Sequence, residues 1–347
     1  MTPPGGGGAA VTGALPPVID EAAAAVAPAL REACERLTPQ IAAVLGYHLG
    51  WLDADGRPAA LRGGKSVRGA LALCSAQAAG GDASAGIPGA VAVELVHTFS
   101  LLHDDIMDGD RDRHGRPAAW AAFGRARAIL AGDAALALAY RVLLDAPSPA
   151  AGAALGSLAA ATARLIDGQA LDLDLEGRAG ATPEDCIRMC AQKTGALLEC
   201  SASIGAVLAG AGDEAVALLT AFGGHLGLAF QAVDDLLGIW GDPAATGKPV
   251  FGDLVQRKTS LPVAIALASG GGEAGELAGL LARARLDPPE IERAAALVES
   301  GGGRSGAAAQ AEAELAAALA ALDGAPIDAG ARADLADVAR FVTAREF

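Results

Sequence analysis

Residues 94–117 read ELVHTFSLLHDDIMDGDRDRHGRP, and the fold turns on how this stretch is read. An apolar run through Val96, Phe99, Leu101 and Leu102 leads straight into Asp104, Asp105 and Asp108. Asp104 and Asp108 are four residues apart and share a helix face, and His97 and Leu101 continue that stripe toward the N-terminus. Acidic residues at the solvated end of a helix are common. Here, however, like charges four apart repel and Asp is a poor helix former. Three carboxylates crowded at the end of a greasy helix need a cation.

A second segment repeats the pattern. In FGGHLGLAFQAVDDLLGIWGD, residues 222–242, Gly227, Gln231, Asp234 and Gly238 fall on one helical stripe with Asp235 beside it. Two Asp-Asp pairs, each set in apolar helix and far apart in the chain, predict two helix ends that face each other. Such ends would offer opposed walls of oxygen ligands. Hard carboxylate oxygens without His or Cys suit Mg²⁺, which keeps several waters and bridges to substrate phosphates.

Working outward, the rest of the chain predicts an all-α protein. Hydrophobic residues make up 52% of its 347 residues and aromatics only 3%. Ala and Leu dominate the long segments, and they form helices well, whereas strand-favouring residues are sparse. Residues 1–14 are Gly- and Pro-rich and read as a disordered tail; 15–347 read as one domain, since no linker is long or polar enough to divide it. The formal net charge of −15 argues against nucleic acid as a partner. The start lacks the basic and apolar regions expected of a signal peptide, and no charge-free apolar stretch is long enough to predict a membrane-spanning helix. Five cysteines without paired spacing suit a reduced, cytoplasmic protein, with Cys186 and Cys190 read as core packing.

Lysine usage is an independent clue. Of 26 cationic side chains only four are Lys, and each stands in a distinctive context. Lys65 lies in GGKSVRG, Lys193 in QKTG, Lys248 in TGKPV and Lys258 in QRKTSLP. Compact ammonium charges suit non-bridging phosphate oxygens.

These segments, in this order, resemble the trans-isoprenyl diphosphate synthases, the polyprenyl synthetase family, and most of all its geranylgeranyl and farnesyl diphosphate synthases. The likeness runs from GGKSVRG at 63–69 through the first aspartate-rich motif, GQALDL at 168–173, the Lys193-Thr194 pair and FQAVDD at 230–235 to RKTSLP at 257–262. It implies an all-α bundle around a central apolar cavity, a homodimer, and Mg²⁺ as cofactor, three ions per active site. By the same resemblance Asp104, Asp108 and Asp234 would hold the metal, with Asp105 and Asp235 in support. Arg113, Lys193, Lys248 and Lys258 would contact the leaving diphosphate of an allylic substrate, with Gln231 and Gln169 nearby and Thr194 flanking the developing cation. Lys65, Arg68 and His97 match the positions that hold isopentenyl diphosphate.

Three departures bear on function. The paired arginines of the family read Arg113-His114 here, so His114 stands where the second arginine helps bind isopentenyl diphosphate. The basic motif ends in Gly69 rather than Pro, and the second acidic motif has Gly238 at its third acidic place. Phe99 and Ser100, five and four residues before Asp104, match the floor of the product cavity; one aromatic there resembles enzymes that stop at geranylgeranyl diphosphate. Two rivals remain at this point: a terpene cyclase on the same scaffold, toward which His114 leans, and a non-catalytic partner subunit, against which both intact motifs argue.

Overall fold

The computed structural model describes residues 15–59, 66–176, 178, 180–242, 250–283 and 285–344. The expected tail at 1–14, Lys65 and Lys248 lie outside the described residues. What is described is helical almost throughout. The one exception to note is a two-stranded hairpin, β1 (Asp112–Arg113) and β2 (Arg116–Pro117).

The N-terminal layer comprises α1 (Pro17–Glu35), α2 (Pro39–His48) and α3 (Val67–Ala78). Helix α4 (Ile87–Met107) follows and carries the first acidic motif at its C-terminal end. After the hairpin come α5 (Ala119–Phe123), α6 (Arg125–Leu144) and α7 (Ala151–Leu175). Helix α8 (Pro183–Cys190) opens on a capping box in which Thr182 and Asp185 satisfy each other's backbone N–H groups. It widens into a π turn at Ala191–Gly195 and resumes as α9 (Ala196–Leu208). Helix α10 (Asp213–Trp240) starts with Asp213 and Glu214, which complement the positive helix end. It stops at Gly241, one turn beyond the second acidic motif. Among the described residues six further helices follow: α11 (Gly252–Val255), α12 (Leu261–Ala268), α13 (Gly271–Leu281), α14 (Pro288–Ser300), α15 (Gly303–Gly324) and α16 (Ala329–Thr343).

Helices α4 and α10 have the length and apolarity to cross a bilayer, yet both are wrapped by neighbours. Helix α4 packs on α3, α6 and α9, and α10 on α9 and α15. Leu95 and Leu102 of α4 and Leu219 and Leu226 of α10 are wholly buried. Each such leucine contributes about 2 kcal/mol relative to an exposed one. The apolarity that marks these helices in the sequence is therefore the apolarity of a protein core. A separate apolar cluster around Ile239, Leu254, Val263, Leu277 and Leu297 fastens α10 to the C-terminal helices. All five cysteines are free and buried, as read for Cys186 and Cys190, and burial pushes the Cys186 thiol up to about 12.

Candidate active site

Successive residues of a helix point about 100° apart, so the two members of each aspartate pair cannot do the same thing. In both pairs the second member turns inward. Asp105 is 1% exposed and takes the Arg113 guanidinium, with Nε at 2.6 Å and Nη2 at 2.5 Å from Oδ1. Asp235 is also buried; its Oδ1 accepts from the Gln231 amide at 2.9 Å and its Oδ2 from the Leu261 backbone N–H at 3.0 Å. Burial first, then the nearby Asp253 charge, raises the Asp235 carboxyl to about 7. Gln231 in turn accepts the Thr194 hydroxyl at 2.7 Å, so Asp235, the glutamine and the threonine form one hydrogen-bonded chain.

The first members, Asp104 and Asp234, remain half-buried, as does Asp108, which caps α4. Burial raises the Asp104 carboxyl to about 6; Asp108 and Asp172 push the same way, while Lys193 and Arg113 oppose them. Two lysines stand among these carboxylates. Lys193 on the π turn sits 2.5 Å from Asp172 Oδ2 and is within electrostatic reach of Asp104 and Asp108. Lys258 lies 3.7 Å from Asp108 Oδ2 and also senses Asp253, Asp172 and Asp110. Burial would lower both ammonium groups, but these carboxylates hold them above their ordinary values. Through Lys258, which meets Asp108 of α4 and senses Asp253 beside Gly238 of α10, the two helix ends border one acidic region, the acidic mouth.

Close backbone approach builds this mouth. A Cβ on Gly168 of α7 would lie 2.2 Å from the Lys193 backbone nitrogen, and one on Gly227 of α10 would lie 2.6 Å from the Gly195 Cα. At Gly238 a Cβ would meet Asp253 Oδ2 at 2.2 Å. The carboxylate missing from the third place of the second motif is thus matched by one that α11 presses against the bare backbone.

A second cluster has the opposite sign. The hairpin turn places His114 at φ 52 and Gly115 at φ 75, the two positive φ values that a tight two-residue turn requires. Histidine tolerates that region better than most side chains. Tyr47 donates its hydroxyl to the Pro117 carbonyl at 2.7 Å, and Arg116 lies over the Tyr47 ring while donating to the Tyr47 and His48 carbonyls. The hairpin is thereby latched to the end of α2, and Tyr47, His48, Arg113, His114 and Arg116 line one pocket. Burial, with Arg113, His114 and Arg116, lowers His48 to about 3; burial, with Arg68, Arg113, His48 and His114, lowers His97 well below its usual value. Glu94 supports the floor by accepting the Gly69 N–H at 2.9 Å.

Buried polar atoms without a protein partner collect at these two places. Among the described residues they are the Arg68 Nε, Asp105 Oδ2, Arg116 Nη1, both amide atoms of Gln169 and the Ser260 Oγ beside Leu261. Natively buried polar groups are almost always paired, so such a concentration marks where a polar ligand belongs. Phe99 and Ser100 lie buried on α4 just before this region; Phe99 meets the His103 ring edge-on at 4.8 Å between centroids. Sequence reasoning missed His48, Arg116, Asp172 and Asp253. Only Asp172 left a signal, one turn beyond Gly168 in GQALDL.

Comparison with known proteins identifies the scaffold. The polyprenyl synthetase family model matches residues 51–298. A (2E,6E)-farnesyl diphosphate synthase of Mycobacterium tuberculosis is 46% identical over 334 residues, which cover 95% of this chain and 93% of that one. A geranylgeranyl diphosphate synthase of the same organism is 44% identical over 331 residues, with 95% and 93% covered. The crystal structure of a polyprenyl synthetase from Streptomyces coelicolor superposes with a TM-score of 0.90 at 48% identity, covering 94% of this chain and 98% of that one. The chain belongs to the polyprenyl synthetase family. It is a transferase of the trans-prenyltransferase class, and the terpene-cyclase alternative is not favoured.

Proposed function

We propose that the protein condenses isopentenyl diphosphate with an allylic diphosphate and releases farnesyl or geranylgeranyl diphosphate. The observation that carries this reading is the pairing of an acidic mouth that holds two lysines with a cationic pocket, joined at Arg113. Two diphosphates need two such places.

In this reading Asp104, Asp108 and Asp234 hold Mg²⁺, with Asp105 and Asp235 acting behind them through Arg113 and Gln231. The donor set fits. The oxygens are hard, and among the described residues no group of three His, Cys, Asp or Glu stands close enough to hold an ion by itself, so waters and substrate phosphates would complete its shell. An open arrangement suits an ion that keeps waters and shares itself with substrate phosphates. Bound there, magnesium would neutralise the charge that builds on the departing diphosphate.

The protein's own groups do the rest. Lys193, Lys258, Lys248 and Arg113 receive the leaving diphosphate as the allylic carbon–oxygen bond breaks and the electron pair departs with oxygen. Gln169, Gln231 and Thr194 line the approach of the resulting cation. Arg68, His97 and Lys65 hold isopentenyl diphosphate so that its double bond attacks the cation; a proton then leaves to the released pyrophosphate. The resulting cation would need a dry apolar cavity free of nucleophiles.

The products separate the readings. Purified protein with Mg²⁺, isopentenyl diphosphate and an allylic primer is expected to give longer diphosphates, and a hydrocarbon made from primer alone would overturn the proposal. Phe99 and Ser100 are assigned to the floor under the growing chain. Phe99→Ala should lengthen the product, and an unchanged profile removes Phe99 from that role. Ile129 and Leu130 of α6 and Ile166 of α7 are large exposed apolar side chains, which supports a homodimer. Five reduced, buried thiols support a cytoplasmic setting. Native mass measurement and fractionation test these last two points.

A further inference from the structure

Helix α7 meets the π turn along a single stripe whose members stand four residues apart. Asp172 binds the Lys193 ammonium at 2.5 Å. One turn earlier, Gly168 lets α7 lie directly against the Lys193 backbone. One turn earlier again stands Arg164, which the diphosphate chemistry does not use. Its Nε donates to Gln192 Oε1 at 2.9 Å, its Nη2 to the Ala191 carbonyl at 3.3 Å and to Glu199 Oε1 at 3.0 Å, and its Nη1 to Glu199 Oε2. One planar guanidinium therefore grips the chain within the π turn and again just beyond it. A lysine could not span these acceptors, because it presents a point charge rather than a fork.

A π turn is an α-helix carrying an extra residue, rare and found mostly as a single turn inside an α-helix. If the bulge migrated along the helix, each side chain it passed would rotate by about 100°. Lys193 would then leave Asp172, and Thr194 would leave Gln231. We propose that Arg164 is a positioning residue: by clasping residues 191, 192 and 199 it fixes the π turn in register and aims Lys193 and Thr194 into the acidic mouth. The inference rests on the proposed role of Lys193 at the leaving diphosphate. It assigns a kinetic role to a side chain outside the mouth.

The test uses Arg164→Met, Arg164→Lys and Glu199→Gln in the full chain, with Lys193→Met as the reference. Arg164→Met is expected to lower kcat on the order of tenfold or more, as a misplacement of about 1 Å does. Its KM for isopentenyl diphosphate should hold, because the cationic pocket lies on other elements. Arg164→Lys and Glu199→Gln should fall between it and the parent, which keeps the test open if Arg164→Met folds poorly. In the Lys193→Met background, Arg164→Met should add little, since both changes remove the same interaction. Full losses that multiply, or a kcat unchanged in all three variants at positions 164 and 199, would overturn the inference while leaving the diphosphate reading intact. Unimpaired turnover by Lys193→Met would overturn both.

Discussion

The acidic mouth and the cationic pocket solve the same problem with opposite charges. Around the mouth stand Asp104, Asp108, Asp172, Asp234 and Asp253, relieved by Lys193 and Lys258. Around the pocket stand Arg68, Arg113, Arg116 and the imidazoles of His48, His97 and His114. On the proposed reading each receives a diphosphate, and the difference lies in what happens to it. A diphosphate that departs must accumulate charge, and metal-bridged carboxylates can meet that change. One that is only held needs fixed donors. The largest contrast should therefore appear on chelation. With EDTA, binding of an unreactive allylic diphosphate analogue is expected to be lost in calorimetry, whereas isopentenyl diphosphate binding should persist. Equal loss at both places would erase the comparison.

The next effect separates members within each aspartate pair. Asp104→Ala and Asp234→Ala should lower kcat on the order of 10²–10³-fold, the scale of a lost electrostatic partner in the transition state. Asp105→Asn and Asp235→Asn should cost about 10–100-fold, as groups that orient others do. Steady-state rates at saturating Mg²⁺ check the order; equal losses would show that the inward turn of Asp105 and Asp235 has no kinetic meaning.

Much of this arrangement was legible in the residues, and the boundary is physical. Helices α4 and α10 announced themselves because apolarity and helical spacing are local properties. The Asp104–Asp108 face followed from the same periodicity. Gly238 looked like a missing acid in the chain, and only tertiary packing shows Asp253 against it. His48 and Arg116 escaped for a similar reason: the pocket they share is made by latching a hairpin onto a helix end distant in sequence. Arg164 read as one of many arginines until its partners were seen at 191, 192 and 199. Spacing reveals which residues share a face; it does not reveal which faces meet.

A smaller effect sharpens the asymmetry between the acidic ends of α4 and α10. Gly238→Ala would place a methyl group 2.2 Å from Asp253 Oδ2, so the Asp253 carboxylate must move, or α11 with it. Overpacking of this kind costs about 1–3 kcal/mol. The melting temperature should fall and the Mg²⁺ concentration for half-maximal rate should rise. Asp253→Gly in the same chain should restore the melting temperature but not the metal requirement. Recovery of both would mean that Asp253 only fills space.

The smallest expected effect lies in the cationic pocket. His114 is held below its usual value, first by burial and then by Arg113 and Arg116, so at neutral pH it offers a dipole where a guanidinium would offer charge. His114→Arg should therefore strengthen binding of isopentenyl diphosphate. A charge-assisted hydrogen bond to phosphate is worth about 1.5–3 kcal/mol before the arginine is brought close to Arg113 and Arg116, whose repulsion offsets part of it. A fall in KM of about tenfold or less is the net expectation, since tenfold corresponds to about 1.4 kcal/mol. The turn opposes the change as well, because residue 114 sits at positive φ, a conformation that costs a non-glycine side chain about 1 kcal/mol and histidine less than most. The variant should thus bind its substrate better and melt slightly earlier, while its KM for the allylic diphosphate stays unchanged. A change confined to the allylic KM would move His114 from the pocket to the mouth and reverse the division of labour between them.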